Sequence, residues 1–199
     1  MKEKLVFTDE EKGQAEEILK RLKKTLSAGL LPDDGEKLQH HIGEAMERGE
    51  LQRDVFGLNP VLHALETAEI AVEEIGLKRD AVVAIILYAG IVGGSYSAEE
   101  IEREFGKSVA QIIHGLVRIQ ELYKRNPVIE SENFRNLLIS FAEDMRVILI
   151  MIADRVNLMR QVRDTDNEEA RQEVAQEASY LYAPLAHKLG LYKLKGELE

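Results

Sequence analysis

"AVVAIILYAGIVGGS", Ala81 to Ser95, decides the fold, because twelve apolar residues run from Ala81 to Val92 before the chain turns to glycine. Valine and isoleucine in such a run allow a buried strand. The length favours a buried helix, since strands usually hold about 4 to 8 residues and helices roughly 10 or more. The expected element therefore spans Arg79 to Val92. A glycine inside a helix costs about 1 kcal/mol relative to alanine, so Gly90, Gly93 and Gly94 mark where the helix ends.

Outward from this run, helical signals recur in both directions and strand alternation is almost absent. Thr8 with Glu11 forms a capping box ahead of an apolar face at Ala15, Ile18, Leu19, Leu22 and Leu26, with Gly29 as a stop. Pro32 and Asp33-Asp34-Gly35 read as a turn, followed by Leu38, Ile42, Ala45 and Met46 on a second helix ending near Gly49. Asn59-Pro60 supplies an N-cap and first helical position for a third, which carries His63 and stops at Gly76. Ser97 with Glu100 makes another capping box, on a short helix closed by Gly106. Ser108 opens a helix that Asn126-Pro127 ends, and Ser131 opens the next. A long one starts near Asp144. The last runs from Asn167 toward Leu189, with Pro184 kinking or restarting it. The expectation is an all-α multi-helix bundle of about nine or ten helices, organised as a single domain over residues 1–199 with no internal repeat.

Composition excludes several classes. With 36 acidic against 26 basic residues and a net charge of -10, the chain has no general attraction to nucleic acid or to an anionic membrane. The cluster from Lys20 to Lys24 reads as a solvated helix face. Cysteine is absent, so disulfides and thiol chemistry are excluded. The start, "MKEKLVFTDEEK", lacks the apolar core of roughly 7 to 15 residues of a signal peptide. No run reaches the roughly 20 residues a bilayer demands. A cytoplasmic location is the expectation.

The glycines do not make a phosphate loop. Such a loop places a lysine and a hydroxyl residue after its last glycine, and Gly93-Gly94-Ser95-Tyr96 has no lysine. The histidines form no evident metal set either: His40 and His41 are neighbours and point in different directions on a helix, and His114 and His187 stand alone. His63 by itself is a packing or surface histidine. Asp154 follows the apolar "MRVILIMIA" and would need a partner if buried, with Arg155 or Arg160 nearest.

"LHALETAEI", "AVVAIILYAGIVGGSYSAEEIEREFGKSVAQIIHGLVRI", "AEDMRVILIMIADR" and "YAPLAHKLGLYKLKGELE" resemble, in order, successive blocks of the amino-terminal hydrolase domain of RelA/SpoT-type alarmone enzymes. The resemblance covers about Asp54 to Glu199. It implies an all-helical HD-type fold. In active members one manganese ion serves removal of pyrophosphate from the 3′ position of guanosine tetra- and pentaphosphate, and the long enzymes continue into a synthetase domain.

Carried over position by position, the resemblance places a metal histidine on His63 and a metal aspartate on Asp154. The central His-Asp metal pair falls on Ala89 and Gly90. The Glu-Asp pair that positions the attacking water falls on Gly93 and Gly94, and a His-Asn pair falls on Asn157 and Leu158. A segment that grips the guanine base is poorly matched by "QRDVFGLNP", where Arg53 stands one position early and Asp54 takes the expected place.

The resemblance therefore implies a domain with a degenerate metal site: no catalytic residues, no metal expected on the remnant ligands His63 and Asp154, and no cofactor in this stretch. Its partner would be the synthetase domain of a parent GTP pyrophosphokinase, reached through a junction at residues 166–199. Pro184 would mark a break there, and Tyr182, Leu185 and Leu189 would supply contacts. Two alternatives stand beside this one. One is an active hydrolase with displaced ligands such as His40, His41 or Glu66; the other is a sensor that still binds a guanine nucleotide.

Overall fold

The computed structural model of the chain describes residues 3–27, 29–91, 97–125, 132–141 and 144–199. All regular structure among them is helical: α1 (Asp9–Thr25), α2 (Asp34–Glu47), α3 (Pro60–Ile70), α4 (Arg79–Ile91), α5 (Ala98–Phe105), α6 (Lys107–Arg125), α7 (Glu132–Phe141), α8 (Met145–Val162), α9 (Glu168–Glu177), α10 (Ala183–Lys188) and α11 (Tyr192–Leu198). A π turn at Ala71–Ile75 extends α3, and another at Ala178–Tyr182 joins α9 and α10 into one rod. Ten continuous helices result among the described residues, and the all-α expectation is met. The contacts gather into two compact units, Met1–His114 and Gly115–Glu199, with the boundary inside α6.

In the first unit α4 is the element on which the others depend. Every residue from Ala81 to Leu87 is buried, as in a helix that is apolar all round. The helix continues through Gly90 to Ile91, so Gly90 lies inside it; Gly93 and Gly94 fall outside the described residues. Helix α3 packs on α4, α1 packs on α3, and α2 packs on α4. The caps behave as the sequence predicts. Thr8 Oγ accepts from the Glu11 N–H while Glu11 accepts from the Thr8 N–H. Asn59 Oδ1 accepts from the amides of Val61 and Leu62, with Pro60 at the first turn. Gly49, Gly76 and Gly106 adopt positive φ at their helix ends, a conformation glycine reaches without a β-carbon clash. Lys20, Arg21, Lys23 and Lys24 are exposed, as a solvated face should be.

The turn read at Asp33-Asp34-Gly35 is only partly there, formed by Pro32 and Asp33. Asp34 and Gly35 belong to the first turn of α2, and Asp34 is 1% exposed. Its carboxylate takes a forked pair of hydrogen bonds from Arg79 Nε and Nη2 at 2.9 and 2.7 Å, and a third from the Leu31 N–H. Arg79 also donates to Asp80 and to the Phe105 carbonyl. This arginine therefore fastens the starts of α2 and α4 and the end of α5. Sequence spacing cannot show such a long-range ion pair, and it turns an apparent loop residue into a core residue.

In the second unit α8 is the spine. Val147, Ile148, Ile152, Ala153 and Val156 are fully buried, and α8 packs on α9, on the 178–182 turn and on α11. Asp144 caps it, accepting from the Arg146 N–H. Gly115 of α6 permits a close crossing with α8: a β-carbon at that position would stand 2.6 Å from Val147 Cγ2. Asn126-Pro127 and Ser131, read as helix boundaries, lie outside the described residues.

Candidate functional site

His63 sits one turn into α3. The Asn59 cap fixes that turn, and the His63 N–H bonds the Asn59 carbonyl at 2.9 Å. Val61, Leu62, Ala64 and Leu65 are buried, while His63 and Glu66 share a half-buried face. Burial pushes the Glu66 carboxyl above its ordinary pKa, opposed by the charge of His63 and reinforced by that of Glu69. Glu69, one turn further, is held by Arg21 Nε and Nη2 at 2.8 and 3.2 Å.

Helix α4, packed against α3, carries the next two positions. Ala89 is half-buried and Gly90 is buried. Neither has a side-chain donor atom, so a position that would need an imidazole and a carboxylate offers a methyl group and a hydrogen. Gly93 and Gly94, where the resemblance puts the pair that positions water, lie outside the described residues.

Helix α8, in the second unit, carries Asp154, Asn157 and Leu158. Asp154 is exposed, so the condition under which it would need a buried partner does not arise. The helix turns its apolar stripe away from it: Ile152, Ala153 and Val156 are buried on either side in sequence. Both arginines named as partners for it reach other carboxylates as well. Arg155 Nη2 donates to Glu177 at 2.6 Å, and Arg160 donates to Glu197 at 2.7 and 2.8 Å. Asn157 is 3% exposed and its Oδ1 accepts from Gln161 Nε2 at 2.7 Å. Leu158 is half-buried.

The displaced-ligand candidates do not supply a substitute set. His41 is buried with Nε2 2.6 Å from Glu104 Oε2, and His40 lies 3.6 Å from Glu44 one turn on. Among the described residues no three His, Cys, Asp or Glu side chains are arranged to hold a metal ion. A catalytic manganese or zinc takes at least three protein ligands and keeps one position open for water. The described donor set does not fit such an ion.

Arg53 is committed elsewhere too. It donates through Nη1 and Nη2 to the Glu11 carboxylate at 3.0 and 2.6 Å and to the carbonyls of Gly57 and Val6. Asp54 Oδ1 accepts from the amides of Phe56 and Leu58, shaping the loop before α3.

Sequence reading missed a cluster in the second unit. Arg155 lies under the Tyr182 ring, 4.7 Å from its centroid, and the Tyr182 and Tyr123 hydroxyls are 3.0 Å apart. Burial works against the charge of Arg155, but Tyr182 and Glu177 outweigh it and raise its pKa. Burial and then Tyr182 raise that of Tyr123. The one signal in the sequence was Pro184. Tyr182 and Leu185, read as contacts for a neighbouring domain, are 6% and 0% exposed, so they are core residues; Tyr180 and Tyr192 are the exposed aromatics of this region.

Residues 44–192 match the protein-family model described as HD domain. The guanosine-3′,5′-bis(diphosphate) 3′-pyrophosphohydrolase of Aquifex aeolicus (strain VF5) is 32% identical over 168 residues, which is 84% of this chain and 24% of that protein. The bifunctional (p)ppGpp synthase/hydrolase SpoT of Escherichia coli (strain K12) is 30% identical over 92% of this chain and 26% of its own length. The GTP pyrophosphokinase of Myxococcus xanthus is 34% identical over 77% of this chain and 20% of its own. The chain thus spans about a quarter of the length of the curated relatives it matches. Among solved structures, that of a metazoan SpoT orthologue, which hydrolyses ppGpp and plays a role in starvation responses, matches with a TM-score of 0.60. Its sequence identity is 18%, and the match covers 85% of this chain and 94% of that one.

Proposed function

The chain belongs to the HD domain family, and from that membership we propose that it is a catalytically silent HD domain of a RelA/SpoT-type enzyme, acting on a synthetase rather than on an alarmone. The observation that carries this reading is the donor set. Ala89 and Gly90 stand where the resemblance puts two metal ligands, and no three ligating side chains converge among the described residues. Loss of a residue that only orients a ligand commonly costs 10 to 100-fold in metal affinity, and loss of two ligands themselves costs more. Without a bound metal, no water is acidified for attack on the 3′ pyrophosphate.

Each of the two units remains well packed. The caps, the cores and the rod from α9 to α10 are intact, which suits a regulatory part better than a decaying one. In a parent GTP pyrophosphokinase the chain would bias synthesis through the segment 166–199. The test is to remove residues 1–165 from that parent and measure the rate of pyrophosphate transfer per folded enzyme. A changed rate or effector response is expected. A rate and response equal to those of the intact enzyme, at equal folded fraction, would overturn the regulatory role.

A further inference from the structure

The rod formed by α9 and α10 contains one wide turn, and Pro184 stands directly after it. Proline brings no N–H, and its ring presses on the carbonyl four residues back, that of Tyr180. The backbone opens at Ala178–Tyr182 into a π turn, in which the Ala183 N–H reaches the Ala178 carbonyl. The Tyr180 carbonyl, which a proline at 184 cannot serve, accepts instead from Arg135 Nη1 of α7 at 2.8 Å.

Two further helices send polar side chains to the same turn. From α8, Arg155 bonds Glu177, at the start of the turn, and lies against the ring of Tyr182, at its end. From α6, Tyr123 reaches the Tyr182 hydroxyl, and its ring stands edge-on to Phe134 of α7, 5.4 Å between centroids. Arg155 therefore spans the whole turn from outside, as a clasp spans a gap. The clasp is incomplete: Arg155 Nε is buried and meets no acceptor, and an unmade buried hydrogen bond weakens the closed arrangement. Arg155 also directly follows Asp154, an exposed residue of α8.

We infer that 178–182 is a hinge, held closed by the clasp of Arg155 on Glu177 and Tyr182, through which a change on α8 beside Asp154 is carried into α10 and α11. π turns are irregularities that recur at functional positions, and a hinge needs a few residues able to absorb the backbone change. Helix α10 packs on both the turn and α11, so whatever loosens the turn reaches the end of the chain. The hinge is a property of the second unit alone, so its test stands apart from that of the silent site.

The test is amide hydrogen exchange, read by mass spectrometry on the 199-residue chain. In Arg155→Ala, exchange of 178–188 should accelerate about tenfold or more while 107–125 and 145–160 keep their wild-type protection, because local opening is separable from global unfolding. Adding Pro184→Ala supplies the missing N–H, lets a regular helical bond form to the Tyr180 carbonyl, and should restore slow exchange despite the lost clasp. Acceleration spread evenly over 115–199, or a double variant as fast as the single one, would overturn the hinge and leave Arg155 a packing residue. If Arg155→Ala does not fold, Glu177→Gln serves as the milder opening, and unchanged exchange at 178–188 in that variant overturns the proposal equally.

Discussion

Arg53 shows how much a single position decides. Its guanidinium is spent on Glu11 and on two backbone carbonyls that tie the N-terminal segment to the 53–57 loop. The hydrogen bonds from Arg53 lower the Glu11 pKa from 4.5 to about 2, against the opposing effect of burial. A carboxylate with a depressed native pKa stabilises the fold fully above its unfolded value, and that contribution is lost as pH falls through the native value. Glu11 therefore contributes in full above 4.5 and loses its contribution as pH falls toward about 2. In urea titrations across that window, Glu11→Gln should be less stable than the wild type near neutrality and should show a shallower loss with acid. An acid limb parallel to that of the wild type would show that the pair contributes nothing. At this scale the sequence placed His63 and Ala89 on helices, as the structure has them, but took Gly90 for a helix end although it lies inside α4. It failed where a distant partner mattered, as with buried Asp34, because the reach of Arg79 is not a local property.

At the scale of elements, legibility followed the same line. Both capping boxes and the Asn59-Pro60 start were readable because their hydrogen bonds close within three residues. The apolar run of α4 was readable because its length favours a helix over a strand. Pro184 announced an irregularity, but not the π turn or the three helices gathered on it. Tyr182 and Leu185 looked like free contacts because periodicity gives a face and not what covers it. Gly115 gave no signal, although it sets how closely α6 crosses α8. Its missing β-carbon would meet Val147 Cγ2 at 2.6 Å, and Val147 is fully buried on a stiff, branched side chain. Gly115→Ala should gain a little helix propensity and lose more to overpacking, for a net destabilisation of about 1 to 3 kcal/mol in equilibrium unfolding. Unchanged or increased stability would mean that the two helices separate at no cost.

At the scale of the molecule, two compact helical units carry the framework of the HD domain family. The chain carries a net charge of -10, and no helix among the described residues is long and apolar enough to cross a membrane. The framework persists because it depends on apolar faces, caps and buried ion pairs spread along the chain, whereas metal chemistry depends on a handful of donor atoms. On the proposed reading such donors are missing at Ala89 and Gly90, whose side chains carry none. The direct measurement is release of pyrophosphate from guanosine tetraphosphate by the purified 199-residue chain with excess Mn²⁺, run beside His63→Ala and an EDTA control. The silent-domain account predicts release no faster than the protein-free blank in all three. Turnover by the wild type that both EDTA and His63→Ala abolish would contradict it.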